Sequence, residues 1–220
     1  MRKITAVIPV RKGSVRVKNK NIKPFANTTL LELKIQQLKK ISSIEKIIVS
    51  SDCDKMLKIA TNLGVLAHSR EKYYASSQAT NSEFFENLAN SIDADHIMYS
   101  PVTCPLISTS TYRDSIRDYQ TNKEIESLVT VSDVKHHLWL NNEPLNYKLN
   151  ESPNSQDLPD VYAISYGICI LPRSKMIEHR NVVTPNPTFR VLDEIESIDI
   201  DTDFDFMVAE HIYQKIYLTK

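Results

Sequence analysis

Arg11, Lys12, Arg16, Lys18 and Lys20 follow one another closely, with Gly13 and Ser14 among them. The run before them, Ile4 to Pro9, is uncharged and mostly apolar, and no acidic residue occurs before Glu32. A strand buried on both faces that opens into a basic loop suits an anionic ligand. Backbone N–H groups, a hydroxyl and cationic side chains can converge there on phosphate oxygens. Arg11 and Lys20 are the candidates for contacting β- and γ-phosphates or for neutralising charge in a transition state. Ser14 and its neighbouring N–H groups could hydrogen-bond phosphate oxygens. Gly-x4-Gly-Lys-Ser/Thr and Gly-x-Gly-x-x-Gly are both absent, so this is neither a Walker loop nor a dinucleotide fingerprint.

The other end of the chain has the opposite charge. Asp193 to Asp205 contains seven acidic residues, and no Lys or Arg follows until Lys215. Asp199 and Asp201, two apart, would face one way on a strand and could share Mg²⁺ with substrate phosphates. The alternative is that Asp201 and Asp203 simply favour the start of a helix. Arg70, taken alone, reads as a surface cation.

These groups need a frame that joins the two ends. At 220 residues the chain suits one α/β domain, 1–220. After the strand Ile4–Pro9 the pattern predicts a helix over Leu30–Lys40 and a strand over Lys46–Ser51. A helix capped by Asp52 then runs to Leu63, with Gly64 at its C′ position, and a strand covers Val65–His68. That β-α-β-α-β rhythm predicts a Rossmann-like, mostly parallel sheet with helices on both faces. The loop after Ser69 should lie at the carboxyl end of the sheet, where open α/β sheets bind ligands. Further helices are expected over Asn81–Ile92 and Ser110–Gln120, and strands over His96–Ser100, Ser127–Val131 and Tyr162–Leu171. Phe189–Leu192 and Ser197–Ile200 read as short strands, and Thr202 starts the last helix with Asp205 as its capping-box partner. Between them, 132–160 breaks the rhythm, as functional loops and interface arms do.

Net charge is zero, so a general nucleic-acid footprint is not expected. No apolar run approaches the ~20 residues of a membrane span, and strand one begins too early for a signal peptide. Cys53, Cys104 and Cys169 are widely spaced and odd in number, which suits reduced thiols and a cytoplasmic setting.

Ala6-Val7-Ile8-Pro9 with Arg11, Ser14, Lys20 and Asn21 resembles the signature loop of the acylneuraminate cytidylyltransferases, roughly Ile-Pro-Ala-Arg-x-x-Ser-x-x-x-x-x-Lys-Asn. Ser197-Ile-Asp-Ile-Asp-Thr202 resembles that family's Asp-Ile-Asp-Thr, whose aspartates bind the metal. The resemblance implies a nucleotidyltransferase fold that makes CMP-activated acidic sugars from CTP with Mg²⁺. It implies Arg11, Gly13, Ser14, Lys20, Asn21, Arg70, Thr80 and Asn81 as nucleotide contacts, Lys20 and Arg11 as catalytic, and Asp199 and Asp201 as metal ligands. It also implies a homodimer, with 132–160 as a dimerisation and acceptor-site arm.

Two middle segments resemble the family with changes. Ser100-Pro-Val-Thr-Cys-Pro-Leu-Ile107 stands for Gln-Pro-Thr-Ser-Pro-Leu-Arg, so Ser100 replaces Gln and Ile107 replaces Arg. Ser155-Gln-Asp-Leu-Pro-Asp-Val-Tyr162 stands for Arg-Gln-Asp-Leu-Pro-x-Val-Tyr, with Ser155 replacing Arg, and the Arg and Asn-Gly that follow in the family are missing. Ser100, Lys135, Gln156 and Tyr162 are the implied acceptor contacts. Arg is the natural bidentate partner of a carboxylate, so these changes point to an altered anionic acceptor. Lys135, His136, His137 and Lys148 could supply a differently shaped anion site. The expected activity is CMP transfer from CTP to a sialic-acid-like sugar with release of pyrophosphate. The alternatives are a phosphonate or phosphate acceptor, and a nucleotide-binding module without turnover.

Overall fold

The structure is a computed structural model and describes residues 2–14 and 16–218. In chain order the elements are β1 (Ile4–Pro9), the two-residue strands β2 (Pro24–Phe25) and β3 (Thr28–Thr29), α1 (Leu30–Lys39), β4 (Ile44–Ser51), α2 (Asp54–Asn62) and β5 (Leu66–Ser69). There follow α3 (Asn81–Ser91), β6 (His96–Tyr99), α4 (Thr109–Thr121), β7 (Leu128–Asp133), β8 (Trp139–Leu140), β9 (Glu143–Pro144), β10 (Tyr162–Pro172), α5 (Arg173–His179), β11 (Thr188–Leu192) and α6 (Asp203–Tyr213).

Seven strands form one sheet in the order β11-β7-β10-β6-β1-β4-β5. β1 is parallel to β4 and β6, β4 to β5, and β7 to β11, while β10 runs antiparallel to both β6 and β7. The sheet is therefore mostly parallel, with one reversed strand. Side chains alternate across it, as the period of two requires. Ile4, Ala6 and Ile8 pack in one core with α1, α2, α4 and α6, while Val7 joins Phe85 and Leu88 of α3 and Met176 of α5 on the other face. Helices thus cover both faces of the expected Rossmann-like sheet.

Several local expectations are revised. Asp52 does not cap α2, whose N-cap is Cys53; the carboxylate instead accepts a hydrogen bond from the Lys12 N–H at 2.8 Å. Ser197–Ile200 is not a strand. Residues 194–197 form a turn, and the extended stretch after it is anchored by Ile200 N–H donating to the Thr103 carbonyl at 2.9 Å. α5 was unanticipated. Thr202 does cap α6, in a capping box with Asp205, and Gly64 ends α2 with φ +73°. The segment 132–160 holds the β8–β9 hairpin and two short 3₁₀ turns, Leu149–Glu151 and Ser155–Asp157.

Candidate active site

A cleft of about 470 Å³ opens where the carboxyl ends of β1, β5 and β6 meet the basic loop. Its walls come from Pro9–Arg11, Ser14, Arg16, Val17, Lys20 and Asn21; from Arg70 and 74–77 after β5; from Asn81, Phe84 and Phe85 of α3; from Tyr99 and 101–103; from Ser165 and Tyr166; and from Asp199. Position and lining agree with the rule for open α/β sheets.

The basic loop is fixed mainly through its own backbone. Val10 N–H donates to Ser50 O at 3.0 Å, extending the β1–β4 ladder past Pro9. The buried Asn21 donates to Arg11 O at 3.0 Å, so it braces the loop from beneath while touching the cleft. Gly13 lies at φ +84°, a left-handed turn that a side chain would strain. Arg11 donates to Ala75 O at 3.0 Å, tying the loop to the segment after β5.

Arg70 is not a surface cation. It is 5% exposed, donates to Val10 O at 2.7 Å and lies 4.9 Å from the centroid of Phe84. Its Nε is buried without a hydrogen-bond partner among the described residues. Burial holds its pKa below the usual guanidinium value, with Asp52 opposing and Arg11 reinforcing that shift.

The two charged ends of the chain do meet. Lys20 Nζ donates to the Ile200 carbonyl at 2.6 Å, which places its ammonium beside the acidic stretch. Burial lowers its pKa, against the raising influence of Asp201 and Asp199. Asp199 is an exposed residue that lines the cleft. Partial desolvation raises its carboxyl above the ordinary value, aided by the neighbouring Asp201 charge and opposed by a hydrogen bond from Thr103. Asp201 does not line the cleft; its carboxylate pairs with Arg16 at 2.6 Å, and its N–H is held by Asp205.

The remaining candidates lie elsewhere. Thr80 caps α3, its hydroxyl engaged with Glu83 in a capping box, while Asn81 does reach the cleft. Ser100 is fully buried, 2.7 Å from the Tyr112 hydroxyl and donating to Gly167 O at 3.2 Å. Lys135 pairs with Asp160 at 2.6 Å, Gln156 is exposed in its 3₁₀ turn, and Tyr162 packs against Phe189 with ring centroids 5.5 Å apart. His137 packs edge-on against Tyr147 at 4.7 Å, and Lys148 pairs with Glu151 at 3.3 Å. Asn81 apart, none of these residues lines the cleft.

The sequence reading missed Phe84, Tyr99 and Tyr166, which give the cleft an aromatic wall, and the buried Lys34 behind it. Lys34 Nζ donates to Cys104 O at 3.0 Å and to the Tyr112 hydroxyl at 2.6 Å, bracing the 101–107 loop. The helical period around Lys34 carried the only signal, because it places this lysine on the apolar side of α1.

A family model described as cytidylyltransferase matches residues 5–159. The chain is 24% identical to post-translational flagellin modification protein B of Campylobacter coli, over 98% of this chain and 97% of the relative. It is 22% identical to pseudaminic acid cytidylyltransferase of Campylobacter jejuni subsp. jejuni, over 94% and 95% of the two chains. It is 24% identical to CMP-N,N'-diacetyllegionaminic acid synthase of the same subspecies, over 96% and 95%. In fold it is similar to a CMP:2-keto-3-deoxy-manno-octonic acid synthetase solved in complex with CTP. That match has a TM-score of 0.71 at 11% identity, covering 97% of this chain and 99% of the other.

Proposed function

The chain belongs to the cytidylyltransferase family, and from that premise we propose that it transfers CMP from CTP to a nonulosonic acid and releases pyrophosphate. The observation that carries this reading is the meeting of Lys20 and the basic loop with Asp199 across one cleft. The names of full-length relatives, which act on pseudaminic and N,N'-diacetyllegionaminic acids, supply the acceptor class.

The triphosphate lies on the loop after β1, with Arg11, Ser14 and Lys20 around its oxygens. The nucleoside extends over β4 and β5 toward Arg70 and Asn81. The acceptor takes the other half, over β6 and β10. Its hydroxyl attacks the α-phosphorus from that side as pyrophosphate leaves toward the loop. The protein's main contribution is to hold the reactants in line and to neutralise charge, with Lys20 linking the loop to the acidic stretch through the Ile200 carbonyl.

The donor set suits Mg²⁺. Asp199 offers hard oxygen ligands at the cleft, with the Asp201 carboxylate close by in the chain. Asp201 would join it on leaving Arg16, consistent with an ion held by one or two carboxylates and substrate phosphates. When bound, the ion would neutralise phosphate charge.

A homodimer through the 132–160 arm also belongs to this reading. Trp139, Leu140, Leu145 and Leu149 are 53%, 58%, 56% and 65% exposed, an apolar surface that a second copy would cover. Among the described residues no helix is long and apolar enough to cross a membrane; a cytoplasmic setting is a separate part of the proposal.

The test is a pyrophosphate-release screen of CTP against the other nucleoside triphosphates, with nonulosonic acids, phosphonates and phosphate monoesters as acceptors. Release with CTP and a nonulosonic acid is expected. Turnover of a phosphonate or phosphate alone would replace the acceptor and leave the family chemistry standing. CTP binding without any release would contradict the enzyme reading.

A further inference from the structure

β10 does not run straight past the cleft. Ile164 pairs with Val131 and Cys169 with Val129, so the four residues 165–168 stand opposite Thr130 alone. This bulge is clamped from two sides. The Ser165 and Thr130 hydroxyls lie 2.8 Å apart, and they accept the Gly167 N–H at 3.3 Å and the Ile168 N–H at 2.9 Å, respectively. Gly167 sits so close to the 101–107 loop that a Cβ there would strike the Ile107 side chain and crowd Cys104. Its carbonyl also accepts from Ser100 at 3.2 Å.

One residue of the bulge pays for this arrangement. Tyr166 lies at φ +56°, a left-handed conformation that is rare for a bulky side chain. The result is an aromatic ring projecting into the cleft beside Pro101, Val102 and Thr103. Its hydroxyl makes no hydrogen bond to the described residues. Bulges next to active sites commonly serve to re-aim a side chain, and strain at such a place is a pointer to function.

We propose that Tyr166 determines acceptor specificity, forming with Pro101 and Val102 an apolar wall that favours nonulosonic acids bearing a second acylamino group over those with a hydroxyl-rich tail. The inference rests on the cytidylyltransferase reading, because it takes the β6–β10 half of the cleft as the acceptor site. An acetamido methyl loses water favourably against an aromatic ring and a valine. A hydroxyl set against the face of the ring finds no partner there and is disfavoured. Such apolar surfaces discriminate by about tenfold to a few hundredfold.

The experiment compares kcat/KM for CTP-dependent pyrophosphate release with N,N'-diacetyllegionaminate and with N-acetylneuraminate. The wild type should prefer the diacetylated acceptor by about tenfold or more. Tyr166→Phe should keep that preference, because the ring remains. Tyr166→Gly should reduce it to about threefold or less while leaving the Kd for CTP unchanged. Glycine suits φ +56°, so the melting temperature of Tyr166→Gly should not fall, and a loss of preference there reports the missing ring. Equal use of both acceptors by the wild type would overturn the inference, as would an unchanged ratio in Tyr166→Gly. Either result leaves the cytidylyltransferase reading intact. No release with any acceptor would overturn that reading and this inference with it.

Discussion

Lys34 is an ammonium group 1% exposed in the core, held by the Cys104 carbonyl and the Tyr112 hydroxyl, with no carboxylate paired to it among the described residues. Burial lowers its pKa from 10.5 to about 8. Between those values the unfolded chain still binds the proton and the native protein has released it, so stability rises with pH across this window. At about 1.4 kcal/mol per pH unit, the rise amounts to about 3 kcal/mol. Lys34→Met keeps an unbranched apolar stem of similar length and removes the titrating group. Urea unfolding of both proteins between about pH 7 and pH 10.5 isolates the effect, because other groups titrate in both and cancel in the difference. The Met variant's stability relative to wild type should fall by about 3 kcal/mol across the series. Parallel pH profiles would refute a buried, charge-disfavoured lysine. The two lost hydrogen bonds add only a pH-independent offset, at about 1–3 kcal/mol for the carbonyl left unpaired, so the change of the difference with pH is what reports the lysine.

Other outcomes follow from the cleft. Lys20→Ala and Arg11→Ala should each lower kcat/KM by about 10²-fold or more with the fold retained by circular dichroism; near-wild-type pyrophosphate release from both would remove the loop from the mechanism. Asp199 has a raised folded pKa, so the native protein binds more protons than the unfolded chain above pH 3.8, and stability declines as pH rises from there through the folded value. Asp199→Asn should abolish that decline in thermal melts while reducing activity and raising the Mg²⁺ needed. An unchanged Mg²⁺ titration would make Asp199 a structural group. Sedimentation should find a dimer that Trp139→Glu weakens, and a monomer at all accessible concentrations would exclude the arm as an interface.

Much of the sheet was legible because its central strands carry apolar runs and several helices begin at a capping side chain. β1 appeared as expected, and Thr202 and Asp205 form the anticipated box. Asp52 was misread for a physical reason: a carboxylate suited to an N-cap is equally suited to a loop N–H forty residues earlier, and only tertiary structure chooses between them. Asp199 and Asp201 were expected on one strand face, but the extended stretch turns the second toward Arg16. The meeting of basic and acidic ends was readable from charge alone, whereas Arg70's burial and the inward Tyr166 were not. Those depend on Phe84 and on a β10 bulge, neither of which leaves a local pattern.

The central claim is CMP transfer, and ³¹P NMR of the protein with CTP, Mg²⁺ and N,N'-diacetyllegionaminate or pseudaminate tests it most directly. The account predicts loss of the three CTP resonances, with stoichiometric appearance of pyrophosphate and one phosphodiester signal from a CMP-linked sugar. CTP resonances that persist with every nonulosonic acid, or that give way to CMP or CDP without a sugar phosphodiester, would contradict it.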